Sequence, residues 1–265
     1  MQTVSASASA LIDELLACCT FPKAGSPIHC AVSGGADSSA LLILASAAGC
    51  EVTAHHVDHG ARPESETETA LVSALASRFD AAFVAHSAVV EPGPNFEARA
   101  RRARFELLPG AIATGHTLDD RAETVLINLM RGAARTGLSP MSDSVRHPIV
   151  NLRSVQTRAL CDACEVQVFH DPTNLDPAFV RNRVRNELMP LLDDISGRDV
   201  SLLLDRQADL LGSEDQFLDA LAADLDATDA KAIAAAPAVL ARRAVRLFIT
   251  PVSYTHLTLP TTPYV

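Results

Sequence analysis

The run Ile28-His29-Cys30-Ala31-Val32-Ser33-Gly34-Gly35-Ala36-Asp37-Ser38-Ser39-Ala40-Leu41-Leu42 limits most sharply what this chain can become. It reads as a short apolar strand, a Ser-Gly-Gly turn and the opening of an amphipathic helix. Two adjacent glycines let the backbone approach a ligand with no Cβ in the way. Asp37, Ser38 and Ser39 occupy N-cap and first-turn positions. The free N–H groups of such a turn, with the positive end of the helix dipole, suit phosphate oxygens. The Walker pattern is a different device, because it needs a lysine to reach the β- and γ-phosphates. This loop has none, and the whole chain holds only Lys23 and Lys231. A lysine-free phosphate loop suits chemistry in which pyrophosphate leaves as a unit.

The strand–helix pairing recurs. Strands are expected at 28–32, 51–57, 82–86 and 111–114, and helices at 7–19, from the loop to about 48, and at 64–79, 95–108 and 118–131. Strands alternating with helices of ten or more residues predict an α/β fold with a doubly wound, mostly parallel sheet. Ligands of such sheets bind at the carboxyl ends of the strands. The Ser33-Gly34-Gly35 loop, Asp58-His59-Gly60 and Gly115-His116 all fall there. Short strands are further expected at 145–150 and 166–170 around a helix at 153–163, with a helix from Phe179 to Leu192.

Beyond Gly197 the pattern is helix only, at 200–211, 216–225 and 237–249, in an acidic, alanine-rich composition. The expected organisation is a nucleotide-binding domain over 1–195 and a linker helix with the start of a helical domain over 196–250. Residues 251–265 hold both tyrosines of the chain and no charged side chain. Their Val-Ser-Tyr-Thr-His-Leu-Thr-Leu-Pro-Thr-Thr run resembles a translated sequencing adaptor, so this tail is expected to be non-native and unpacked.

The formal net charge is −10, but its distribution is uneven. Residues 1–98 carry 3 basic and 11 acidic side chains, residues 99–185 carry 13 arginines and 9 acids, and residues 186–265 carry 6 basic and 12 acidic. Arginine without lysine in the middle segment fits phosphate-fork recognition better than a generic basic coat, the alternative being that many of these arginines are solvated helix-face residues. No run approaches the ~18 apolar residues of a membrane span, and no secretory signal is visible. Six irregularly spaced cysteines do not read as a disulfide framework. A cytoplasmic protein without a membrane partner is expected.

The second informative run is Gly115-His116-Thr117-Leu118-Asp119-Asp120-Arg121-Ala122-Glu123-Thr124. It sets a histidine at a strand end and three carboxylates in the first two turns of a helix. Asp119 and Glu123 share a face at i,i+4, with Asp120 beside Glu123 at i,i+3. Dipole complementation explains one or two acids there, but not the histidine beside them.

These motifs occur in one order with His56-Val-Asp-His-Gly60, Arg62-Pro63, Asn95-Phe-Glu97, Ala100-Arg101-x-x-Arg104-Phe105, Arg131-Gly132, Asp171-Pro-Thr-Asn174, Asp176-Pro177 and Arg181-Asn-Arg-Val-Arg185. Ser-Gly-Gly-x-Asp-Ser is the signature of the PP-loop ATP pyrophosphatases, and over residues 28–192 the set resembles the tRNA(Ile)-lysidine synthases among them. The resemblance implies ATP-dependent ligation of free L-lysine to C2 of the wobble cytidine of an isoleucine tRNA with a CAU anticodon, through an adenylated base. It implies ATP held by Ser33, Gly34, Gly35, Ala36, Asp37, Ser38 and Ser39, with Mg2+ on Asp37. His116 would steady the α-phosphate or shuttle a proton, and Asp119, Asp120 and Glu123 would bind lysine and take its proton, in an order left open. Asp58, Arg101, Arg104, Arg131, Arg181, Arg183 and Arg185 are the candidates for contacts to the substrates. Monomer and homodimer both stay open.

Two weaker signals point elsewhere. His55, His56 and His59 invite a metal reading, yet strand alternation puts His56 on the opposite face from the other two. Cys161-Asp-Ala-Cys164 would serve as sulfur or iron–sulfur ligands in a PP-loop tRNA thiolase, the nearest rival. Buried thiols are the expected reading. A small-molecule PP-loop ligase, or a non-catalytic nucleotide or RNA binder, would also carry such a loop.

Overall fold

The computed structural model describes residues 5–58, 65–87, 107–169 and 176–256, without the side chains of 65, 66 and 250–256. Arg101, Arg104, His59, Gly60, the expected helix up to residue 106 and the Asp171–Asn174 motif lie outside them.

Four parallel strands make one sheet: β1 (Pro27–Ala31), β2 (Glu51–Asp58), β3 (Ala82–Ser87) and β4 (Ile112–Thr114). Their order is β3-β2-β1-β4. The chain steps outward from β1 to β3, then returns to the other side of β1, which puts the topological switch point between β1 and β4. A crevice opens at that point, beyond the carboxyl ends of the two strands.

Helices α1 (Ala6–Leu16), α2 (Ala36–Ala47), α3 (Ser65–Arg78), α4 (Leu118–Met130) and α5 (Ser154–Ala163) surround the sheet. The expected amphipathic helix after the glycine turn is instead buried all round, with Ser39 to Ala45 in the core. Its apolar run Ala40-Leu41-Leu42-Ile43-Leu44-Ala45 explains this, since a helix that is apolar on every face needs cover on every face. It packs on β1, β2, α1 and α5. Fully burying each leucine or isoleucine contributes about 1.5–3 kcal/mol, so α2 is the best-anchored helix near the site.

Neither 145–150 nor 166–169 forms a strand. In the first segment the Asp143 carboxylate accepts from the N–H groups of Val145 and Arg146 and turns the chain, and Pro148 has no N–H to offer a sheet. In the second, the N–H of Val166 donates to Cys161 and that of Phe169 to Gly34, 2.8 Å each. Phe169 thus ties this segment to the glycine turn.

After α5 come three helical elements that are continuous with one another: α6 (Val180–Arg183), a π turn (Val184–Leu188) and α7 (Met189–Ser196). Pro190 has no N–H for the Asn186 carbonyl and its ring crowds it, and the wider turn relieves that conflict. The expected helices at 200–211 and 216–225 are one, α8 (Val200–Ala223). Gly212 lies within it, and Ser139 approaches so closely that a Cβ there would collide with its hydroxyl. After α9 (Ala230–Ala235), α10 spans Ala238–His256, past the expected end at 249.

Helix α8 is held by arginines of the middle segment. Arg121 on α4 is 3% exposed and donates to Asp205 (2.9 Å), Asp209 (2.5 Å) and the Pro140 carbonyl (3.1 Å). Arg153 reaches Asp199 (2.5 Å) and Arg135 reaches Glu214. Further along, Arg243 of α10 joins Asp215 and Asp219, 2.5 Å each. The charge asymmetry of the sequence is therefore spent partly inside the chain.

Candidate active site

The loop after β1 is built by its own serines. Ser38 Oγ donates to the Gly35 carbonyl (3.0 Å) and accepts from the Ser33 N–H (3.2 Å), with Ser33 Oγ also at 3.2 Å. Gly34 has φ +85°, a left-handed conformation that favours glycine. Gly35 is the N-cap of α2 and no side chain caps the helix. Its first N–H groups therefore face the crevice uncapped, an arrangement suited to an anion.

Gly115 brings the β4 side of the crevice against this loop. A Cβ there would lie 2.7 Å from the Asp37 carbonyl oxygen and 2.8 Å from Asp37 C and Ser38 N. Only a residue without a side chain permits that approach. His116 follows, its Nδ1 2.6 Å from Thr114 Oγ1, which also lies 2.9 Å from His147 Nδ1. The two rings meet edge to face at 5.1 Å, and burial pushes the His147 pKa down.

Helix α4 starts in a capping box: Asp120 Oδ2 accepts from the Thr117 N–H at 3.0 Å, and Thr117 Oγ1 accepts from the Asp120 N–H. The other Asp120 oxygen accepts from Arg185 at 3.0 Å. Glu123 is 2% exposed. It accepts from Arg185 Nε (2.5 Å) and Nη2 (3.0 Å) and from Arg181 Nε (3.0 Å), so both arginines reach it from α6 and the π turn. Asp119 accepts from Arg153 Nε and from the Ser154 N–H, 2.7 Å each, and so caps α5. Asp37 accepts from the hydroxyl of the fully buried Thr157. Burial raises the Asp37 pKa to about 6; Thr157 works against that shift and Asp120 adds to it.

One cleft of about 250 Å³ joins these groups, lined by Asp37, Asp119, Glu123, Arg153, Arg158 and Arg185 among others. Asp119 and Glu123 of α4 and Asp37 at the start of α2 thus face a single space. Among the described residues several expected ones do not line it, Asp120 and His116 included. Ser39 is buried, its N–H bonded to Gly35 (3.0 Å) and its Oγ unpartnered in the core. Arg131 caps the far end of α4, twelve residues and about 18 Å from Asp119. Arg183 is exposed and pairs with Glu187 at 2.9 Å. Asp58 ends β2 opposite Ser87. Sequence reasoning missed Arg153, Ser154, Thr157 and Arg158, all on or beside the start of α5. They carry no motif, and their arrival depends on how that helix docks.

Off the cleft, His29, His55 and His86 form a ladder across β1, β2 and β3, with Nδ1 to Nε2 distances of 2.9 Å. Both His55 nitrogens are used in hydrogen bonds. His56 Nδ1 donates to the Val32 carbonyl (2.8 Å), on the other face as alternation required. Cys161 and Cys164 are buried. Burial pushes the Cys161 thiol up to about 12, and it donates to the Ala36 carbonyl.

A lysine-free phosphate loop at the switch point of a parallel sheet defines the class, and the family model described as a PP-loop domain matches residues 5–192. Relatives narrow this further. The tRNA(Ile)-lysidine synthase of Nocardia farcinica is 38% identical over 245 residues, covering 86% of this chain and 77% of that protein. That of Thermus thermophilus is 41% identical over 182 residues, 63% and 36% of the two chains. This chain belongs to the tRNA(Ile)-lysidine synthase family, ATP-using ligases of the PP-loop class. It spans about a third of the Thermus relative. In fold it also resembles the U34-tRNA thiolase NcsA of Methanococcus maripaludis, a structure with a 4Fe–4S cluster (TM-score 0.60, 15% identity, 77% of this chain and 79% of that one). Among the described residues no helix is long and apolar enough to cross a membrane.

Proposed function

We propose that this chain joins free L-lysine to C2 of the wobble cytidine of an isoleucine tRNA with a CAU anticodon, at the expense of ATP. The C2 oxygen of the base takes the α-phosphoryl group and pyrophosphate leaves. The ε-amine of lysine then attacks C2, and AMP departs with the former base oxygen. One observation supports this most: Asp37, Asp119 and Glu123 line one cleft beside an uncapped helix N-terminus. A polyanion and a cationic amino acid would meet there.

The N–H groups at Gly34 to Ser38 and the Ser33 and Ser38 hydroxyls would hold the pyrophosphate portion. A magnesium ion suits Asp37, because Thr157 occupies only Oδ1 and one carboxylate with phosphate oxygens and water is a usual set for that ion. Bound there, the ion would draw charge from the phosphates. His116, oriented through Nδ1 by Thr114, is assigned to the α-phosphate or a proton transfer. Asp119, Asp120 and Glu123 would receive the lysine ammonium and take the proton it must lose before attack. Arg181 and Arg185 hold two of these acids in place, a positioning role. Arg131 and Arg183, both exposed, with Arg101 and Arg104, are left for the tRNA backbone.

Residues 1–195 would be the catalytic domain, 196–250 the start of a tRNA-docking helical domain and 251–265 a foreign tail. The protein would work in the cytoplasm, as a monomer or a homodimer. The test is ATP–pyrophosphate exchange with and without tRNA and lysine, followed by mass spectrometry of the tRNA nucleosides. Exchange that requires the tRNA and a cytidine heavier by one lysine residue are expected. A sulfur-bearing nucleoside, or exchange indifferent to tRNA, would refute the proposal.

A further inference from the structure

Arginines Arg153, Arg158 and Arg185 line the cleft, and Arg181 reaches the acids on its wall. Three of these four are already bound to acids. Arg153 joins Asp119 and Asp199, while Arg181 and Arg185 both join Asp120 and Glu123. Arg158 differs: among the described residues its guanidinium hydrogen-bonds no carboxylate. It is exposed, it lines the cleft, and it lies close enough to Asp37 to attract its charge. Its place on α5 fixes this orientation. Ser154, four residues earlier on the same face, gives its N–H to Asp119, and Thr157 next to it donates to Asp37. Arg158 therefore stands about one turn, roughly 6 Å, along α5 from the Asp119 contact.

We infer that Arg158 binds an oxyanion of the substrates in this cleft, either the α-carboxylate of the amino acid or a phosphate of the nucleotide. A guanidinium with its five donors unspent suits both. The surrounding acids make the amino-acid carboxylate the natural occupant, since they would take the far, cationic end of the same molecule. This rests on the proposed function for the identity of the substrates, and not for the presence of an anion.

The test is calorimetric binding of ATP and of L-lysine, separately and together, to the full chain and to its Arg158→Ala and Arg158→Glu variants. Cadaverine, which is lysine without its carboxylate, is the control probe. Arg158 is exposed, so both variants should fold, and equal thermal midpoints check this. Losing a charged hydrogen bond should weaken one ligand about 10-fold or more in Arg158→Ala, and further in Arg158→Glu. Weaker lysine with unchanged ATP and cadaverine identifies the carboxylate, and weaker ATP alone identifies the phosphate. Affinities within two-fold for both ligands overturn the inference, as does a parent chain that binds neither. A parent chain that binds both and makes no lysine-bearing cytidine would sink the proposed function and leave the role of Arg158 standing.

Discussion

Replacing Gly115 with alanine adds one methyl group where the two halves of the site touch. The added carbon would sit 2.7–2.8 Å from three backbone atoms of Asp37 and Ser38, where ordinary contacts begin at 3.4 Å. Relief requires a separation of at least about 0.6 Å, and no flexible side chain is available to supply it. Helix α2 is packed on every side, so the movement falls on the loop or on the start of α4. Overpacking of this kind costs about 1–3 kcal/mol, which in a chain of this size lowers the melting temperature by roughly 2–12 °C. Because the loop or the start of α4 must shift relative to Asp37, kcat/KM for ATP should fall by about 10- to 100-fold. Thermal unfolding and pyrophosphate release, measured on the same preparation, read both effects. An alanine variant with the parent's melting temperature and ATP kinetics would refute the idea that this contact sets the site.

Three other perturbations separate structure from function. Asp37→Asn should abolish pyrophosphate release yet raise the denaturation midpoint. A carboxyl pushed up to about 6 by burial is held ionised at neutral pH against the fold, at a cost of up to about 3 kcal/mol; a lower midpoint would contradict this. Glu123→Gln leaves Arg181 and Arg185 facing a neutral amide and should cost about 2–3 kcal/mol in urea unfolding as well as activity. His55 is held down to about 4 by burial and by His29 and His86. An unfolded chain binds that proton near 6.5, so stability should be complete above pH 6.5 and fall as pH drops toward 4. His55→Gln should flatten that slope, and an unchanged slope would exclude the ladder as its source.

Much of this architecture was legible in the sequence because it rests on local periodicity. The four strands of the sheet, the glycine turn and the helix carrying Asp119, Asp120 and Glu123 are each encoded in about a dozen residues. What was not legible depends on distant partners. Arg121 reads as one more helix-face cation until Asp205 and Asp209 arrive from a helix some eighty residues later. The helices expected at 200–211 and 216–225 are one, and the Ser139 hydroxyl that packs against Gly212 within it comes from more than seventy residues earlier. The segment at 166–169 alternates like a strand but spends Phe169 on the phosphate loop. Thr157 and Arg158 have no local signal at all, and only the docking of α5 beside α2 brings them to Asp37.

The most direct measurement is a crystal structure of the full chain with a non-hydrolysable ATP analogue, magnesium and L-lysine. The account predicts the β- and γ-phosphates on the N–H groups at Gly34 to Ser38, the metal on Asp37, and the lysine ammonium among Asp119, Asp120 and Glu123 in the same cleft. Nucleotide and amino acid bound on opposite sides of the sheet, or phosphates seated away from the loop after β1, would contradict it.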